Sequence, residues 1–209
     1  MKTPFTTEEF FEVFEKYNTS VFPVQLVIIA LGIAAVILIH SRKTIRNNLI
    51  GSFLGVVWLW TGVVYHISFF SAINKAAYFF GALFIIQGVF FFIEMLRGRL
   101  EFSFGGKTRE YLGYFFILFG LIIYPVISYL LEGSFARTIA PGLPCPTTIL
   151  TLGFLMLTTG KFSKYLLVIP VLWAIIGTGA AISFGVYQDY VMILAALIAA
   201  IYLFGRKKA

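Results

Sequence analysis

The chain has 209 residues, of which 60% are hydrophobic and 12% charged, against about 45–50% and about 25% in soluble domains. Sixteen Lys and Arg against nine Asp and Glu leave a net charge of +7, too few and too scattered for a nucleic-acid surface. One Cys and two His exclude a disulfide framework and a zinc site built from four such side chains.

The chain opens on a polar, acidic stretch, so no cleavable signal peptide is expected. Thr6-Thr7-Glu8-Glu9 has the spacing of a capping box, and Phe5 and Phe10 stand where a hydrophobic staple forms. The pattern predicts a helix over 7–17, with Phe10, Val13, Phe14 and Tyr17 on one face and Glu8, Glu12 and Glu15 on the other. Such a helix lies on the outer membrane surface. Its acidic face argues against attraction to anionic lipid and for packing over the mouth of a bundle; a plain interfacial anchor is the alternative.

Seven apolar segments follow: Phe22–Ile39, Leu49–Ile73, Ala76–Leu96, Tyr111–Leu131, Thr147–Gly160, Tyr165–Phe184 and Tyr190–Phe204. A hydrocarbon core of about 30 Å takes about 20 apolar residues per helix, and none of the segments alternates as a barrel strand would. The expected fold is therefore all-α: a polytopic bundle of seven transmembrane helices over 22–204, forming one domain over 1–209. Gly98–Glu110, with Gly105-Gly106, reads as a flexible loop.

Sidedness follows from Lys and Arg. One set of ends carries Arg42, Lys43, Arg46, Arg97, Arg99, Lys107, Arg109, Lys161, Lys164, Arg206, Lys207 and Lys208; the other carries Lys2, Lys16, Lys75 and Arg137. The N-terminus is expected outside and the C-terminus inside, with anionic headgroups as partner of the basic surplus.

Small and polar residues mark inward faces. Helical angles put Gly51, Gly55, Trp58, Gly62, His66 and Phe69 on one sector and Trp60 behind it. Gly113, Ile117, Gly120, Tyr124 and Ser128 align likewise, as do Gln87 and Glu94. His66 stands eight residues before Asn74, about 12 Å from the outer surface, and Tyr124 and Gly177 sit at a similar depth. Pro125 and Gly177-Thr178-Gly179 weaken their helices near this level.

The fifth segment decides the functional reading. Its fourteen residues span about 21 Å, less than the hydrocarbon core. With its inner end fixed near Lys161 and Lys164, the stretch from Ala140 to Pro146 has to dip into the outer leaflet, where irregular backbone persists only inside protein or beside a cavity. Thr147 and Thr148 then present free N–H groups and hydroxyls at a helix start. His66, Tyr124, Thr178 and Cys145–Thr148 are expected to converge on one outward-facing pocket; local thinning of the bilayer is the alternative.

Each candidate has a plain structural alternative. A buried His66 is either a proton-sensitive or hydrogen-bonding group, or a core residue satisfied by a neighbour. Glu94 with Arg97 reads as a snorkelling ion pair. Gln87 near mid-span needs a partner or a ligand. Tyr65, Tyr124, Trp58 and Trp173 line a pore or simply pack. One thiol and one imidazole are too few for a convincing metal site. H-E-x-x-H is absent, as are paired intramembrane aspartates and a second cysteine. A retinal protein is excluded because Tyr190–Phe204 holds no Lys, and His40 and His66 lie at different depths, against a bis-His haem.

The strings Phe5-Thr6-Thr7-Glu8-Glu9-Phe10-Phe11, Trp58-Leu59-Trp60-Thr61-Gly62-Val63-Val64-Tyr65-His66, Phe80-Gly81-Ala82-Leu83-Phe84, Pro144-Cys145-Pro146-Thr147-Thr148 and Ile169-Pro170-Val171-Leu172-Trp173 resemble a bacterial polytopic membrane family catalogued as a domain of unknown function. The resemblance covers nearly the whole chain and implies a bacterial cytoplasmic (inner) membrane location. It implies no activity or substrate.

The expected function is a small channel or transporter for a small polar solute or ion. Its ligand-binding residues are His66, Tyr65, Gln87, Tyr124, Cys145, Thr147, Thr148 and Thr178, with Glu94 and Arg97 as an ion pair. The alternative is a non-catalytic accessory subunit that binds lipid or partner helices, with Trp60 and many Phe on its lipid-facing surface. A membrane enzyme acting on a lipid stands third. No cofactor and no metal are expected; the partners are membrane lipids, a small polar solute or other membrane subunits.

Overall fold

The computed structural model of the chain describes residues 4–41, 43–159 and 163–205. Helix α1 (Thr7–Val21) starts where the capping box requires. The Thr6 hydroxyl accepts from the Glu9 N–H at 3.2 Å, and the Glu9 carboxylate accepts from the Thr6 N–H at 2.7 Å. That backbone bond, with the Thr6 hydroxyl adding a second, holds the Glu9 carboxyl below the usual carboxylate range. Phe5 rests on Phe10 with ring centroids 5.9 Å apart, the expected staple. Val13, Phe14 and Tyr17 are buried on one face. The helix runs past the predicted end at 17 because Asn18 is itself buried, its amide donating to the carbonyls of Ala136 (2.7 Å) and Thr138 (2.8 Å).

The chain then bends by 81° into α2 (Val24–Leu38). Helix α3 (Lys43–Trp60) continues as a π-helical stretch, Thr61–Phe69, and a tight turn, Phe70–Ala72. Next come α4 (Ala77–Leu96) and strand β1 (Glu101–Phe102). Helix α5 (Thr108–Leu118) passes through a second π-helical stretch, Phe119–Ile123, into α6 (Tyr124–Glu132). After an irregular segment come α7 (Pro144–Met156), strand β2 (Thr158–Thr159), α8 (Val168–Phe184) and α9 (Tyr190–Phe204). The fold is all-helical apart from the antiparallel pair, in which Glu101 faces Thr159 and Phe102 faces Thr158.

Among the described residues four continuous helical stretches are long and apolar enough to cross a membrane: Ile45–Ala72, Ala77–Leu96, Thr108–Glu132 and Lys164–Phe184. The bent pair α1–α2 makes a fifth if it counts as one span. The chain is a helical membrane protein on this ground. The shortness expected of the fifth apolar segment alone extends to the first and last, since α2 and α9 have 15 residues each and α7 has 13.

Helix α7 is the core. Every residue from Pro144 to Met156 except Cys145 is buried. It packs on α5, α8 and α9, and glycines set the closest approach. A Cβ on Gly153 would stand 2.7 Å from the Gly113 carbonyl oxygen, and one on Gly113 would stand 2.8 Å from that of Gly153.

Two expectations are corrected at this level. Gly98–Glu110 is ordered, because Leu100 and Phe102 are buried and the Glu110 carboxylate accepts from the backbone of Gly105 (2.7 Å) and Lys107 (3.1 Å). Glu94 does not snorkel. It is wholly buried, and the start of α8 brings it the hydroxyls of Ser163 and Tyr165 (2.6 Å) besides Arg97 (3.3 Å) and Arg99 (3.7 Å). Gly177-Thr178-Gly179, expected to weaken its helix, lies inside α8, which runs through all three residues. Of the residues that carry the sidedness argument, Lys2, Arg42, Lys161, Arg206, Lys207 and Lys208 lie outside the described residues, as does Gly160.

Candidate functional site

The irregular segment 133–143 leads into α7; of the non-helical stretch expected over Ala140–Pro146 only the part up to Leu143 lies in it, because α7 begins at Pro144. Ile139 to Leu143 are buried, and several of their backbone groups bond to side chains of the surrounding helices. The Ile139 N–H donates to Ser128 Oγ (2.8 Å), and the Gly142 N–H donates to Thr147 Oγ1 (3.0 Å). The Gly142 carbonyl accepts from the Tyr17 hydroxyl (3.1 Å) and Thr61 Oγ1 (3.2 Å). Gly142 has φ of 100°, which an L side chain rarely adopts. This hub joins α1, α3, α7 and the segment. These bonds give the buried N–H groups of Ile139 and Gly142 and the Gly142 carbonyl partners inside the protein.

Beside the hub lies a cavity of about 200 Å³. Helix α1 roofs it with Phe5, Phe10 and Phe14, and Phe184 closes the roof at 5.1 Å from Phe5 and 4.6 Å from Phe10. The walls come from Tyr65, His66 and Phe70 of the π-helical region, Phe80 of α4, Trp173 and Gly177 of α8, and Tyr124 and Cys145. The partly exposed lining residues Asn74, Phe80, Ile176 and Ala180 belong to the start of α4 and to α8, so the cavity nears the surface between these helices.

His66 is fully buried, and neither ring nitrogen has a hydrogen-bond partner. It sits among Phe84 (4.7 Å between centroids), Tyr65 (5.1 Å) and Trp173 (5.2 Å). The π-helical turn explains why Tyr65 and His66, successive residues, both face inward. Each turn closes on the fifth residue rather than the fourth, so more side chains share the inner arc than a 3.6-residue period allows. Gly62 and Gly81 bring α4 close: a Cβ on either would lie under 3 Å from the other's carbonyl oxygen, 2.8 Å and 2.9 Å.

The second π-helical stretch positions Tyr124, whose N–H bonds to the Phe119 carbonyl; the wide turn also accommodates Pro125, which has no N–H to give. The Tyr124 hydroxyl donates to Asp189, the only aspartate in the chain. The Cys145 thiol lies beside the same carboxylate. Asp189 is buried in the turn Tyr187–Asp189 between α8 and α9. Among the described residues no Lys or Arg pairs with it.

The structure thus brings Tyr65, His66, Tyr124 and Cys145 to one cavity. It does not bring Gln87, Thr147, Thr148 or Thr178 there. The Thr147 hydroxyl is consumed by Gly142, and those of Thr148 and Thr178 donate to carbonyls four residues back, Pro144 (2.8 Å) and Ala174 (2.7 Å). Because α7 begins at Pro144, the threonines lie within its first turns rather than at a bare end. Gln87 donates to the Leu166 carbonyl (3.0 Å), away from the cavity. Trp58 is core, stacked on Phe84 at 4.3 Å with its Nε1–H donating to Thr151 (2.8 Å). Trp60, expected on the outer surface, is half-buried and donates to the Tyr17 hydroxyl (2.8 Å), because α1 covers that side. Asp189 escaped the sequence reading. Its being the only Asp, one residue before an apolar run, was the available signal. Among the described residues no group of three or more metal-ligating side chains assembles.

No match was found among curated proteins or among solved structures. A family model, by contrast, covers residues 7–209 from α1 to the end. The chain belongs to that family, a family of unknown function (DUF6064).

Proposed function

We propose that the chain is a carrier that binds a small molecule in the cavity beneath α1 and passes it across a bacterial cytoplasmic membrane. In this reading seven segments cross the bilayer as one domain, the N-terminus outside and the C-terminus inside, in keeping with the distribution of Lys and Arg. The observation that carries it is His66. Buried polar groups almost always have partners, and a dehydrated imidazole with two free nitrogens beside a cavity is the arrangement of a group kept for a ligand.

A carrier is favoured over an open channel. Below the cavity, Trp58 stacked on Phe84 and tied to Thr151 closes the way through the bundle. Polar groups beside non-helical chain held inside the protein are a feature of transporter substrate sites. An accessory subunit that binds only lipid or partner helices would have no use for the free imidazole.

Purified protein in proteoliposomes preloaded with a panel of small solutes tests the reading by exchange. Exchange of at least one solute, saturable and dependent on protein, is the expected result. No exchange across the panel, together with stoichiometric co-purification of another membrane subunit, would replace the carrier by the accessory subunit.

A further inference from the structure

The chemistry of the cavity narrows what it holds. Asp189 is its only charged lining residue, with no Lys or Arg among the rest. Its polar neighbours are neutral: the Tyr124 hydroxyl donates to the carboxylate and the Cys145 thiol lies beside it, and neither supplies a counter-charge. A buried carboxylate without a counter-charge is unfavourable; a proton or a ligand of opposite sign relieves it, and only the cationic ligand keeps it ionised. An anion is repelled, and a neutral molecule leaves the charge as it was.

The walls point the same way. Nine Phe, Tyr and Trp side chains line the space, and aromatic faces attract cations within about 6 Å of their centroids, most of all where water is excluded. A small metal ion is a poor match, since it demands several oxygen ligands. At about 200 Å³ the space suits a compact molecule rather than a drug-sized one. His66 adds one lone pair and one N–H for a polar substituent.

We propose that the cavity is the site of a small organic ammonium ion. Asp189 provides the counter-charge, the rings around Tyr65 and Trp173 surround the cationic head, and His66 meets its hydroxyl or N–H. The proposal rests on the reading of the cavity as a ligand site and names the ligand class.

Protein in nanodiscs, titrated by calorimetry, gives the test. The probes are choline, its uncharged isostere with carbon in place of the ammonium nitrogen, and a carboxylate of the same size. Choline is expected to bind about tenfold or more tighter than the isostere. Asp189→Asn is expected to remove that preference. The comparison on the unaltered protein needs no variant to fold. Equal or tighter binding of the isostere or the carboxylate overturns the ammonium assignment and leaves the ligand site standing. If none of the three binds, the assignment falls; if the proteoliposome panel is also inert, the ligand-site reading falls with it.

Discussion

A buried imidazole that bonds to nothing in its own chain separates function from stability. Removing a buried polar group that has no partner relieves its desolvation cost, whereas removing a bonded one leaves an orphan behind. His66→Phe keeps an aromatic ring in the niche formed by Tyr65, Phe84 and Trp173. The melting temperature of the purified variant is expected to equal or exceed that of the parent while solute exchange is lost. A clear fall in melting temperature would make His66 a structural residue. That this side chain faces inward was legible, because Gly55, Trp58 and Gly62 share its face. Asp189 was not. A lone acid at the end of an apolar segment reads as a solvated loop residue, and only the fold reveals Tyr124 and Cys145 closing over it.

Among the elements, the π-helical stretches mark the limit of periodicity as a guide. The 3.6-residue period placed Gly113, Ile117, Gly120, Tyr124 and Ser128 on one buried face, and all five are buried. That period alone does not set Tyr65, an expected lining residue, beside His66; a wider turn brings both inward, and nothing in the local residue types announces that turn. The glycine contacts were legible as small residues on inward faces, though not their pairing. Gly113 and Gly153 meet backbone to backbone, so an added methyl has no flexible side chain to displace. Gly153→Ala is expected to destabilise the protein by about 1–3 kcal/mol, the usual range for overpacking. Thermal melting in detergent checks it; an unchanged midpoint would mean that α5 and α7 are further apart than described.

On the scale of the whole molecule, α1 is a cover. It is joined to segment 133–143 by Asn18, by Tyr17 and by Arg137, whose guanidinium pairs with Glu8 (2.6 Å) and Glu15 (3.0 Å). Asn18→Ala frees two buried carbonyls and is expected to loosen the cover. Cys145, the single cysteine, reports on this: a small thiol reagent should modify it faster in the variant than in the parent, and equal rates would show that α1 does not control access. Sidedness has its own test. In a Cys145→Ser background, an impermeant thiol reagent applied to intact cells should label the Lys75→Cys variant and spare the Lys107→Cys variant; the reverse pattern would invert the topology. The overall plan, a helical membrane bundle with a capped helix at its start, was readable from composition and spacing. The short α2 and α9 were less so, because hydropathy counts apolar residues and not the turns that end a helix early.

The complete enclosure of α7 has a consequence for biogenesis. A translocation machinery sorts each segment by its own contact with acyl chains, and a thirteen-residue stretch with four threonines and prolines in its first five positions has little to offer on that test. It can settle only after its neighbours have formed a socket. Arresting synthesis just beyond α7, before α8 and α9 emerge, should therefore leave this piece outside the hydrocarbon, and the final quarter of the polypeptide must draw it in.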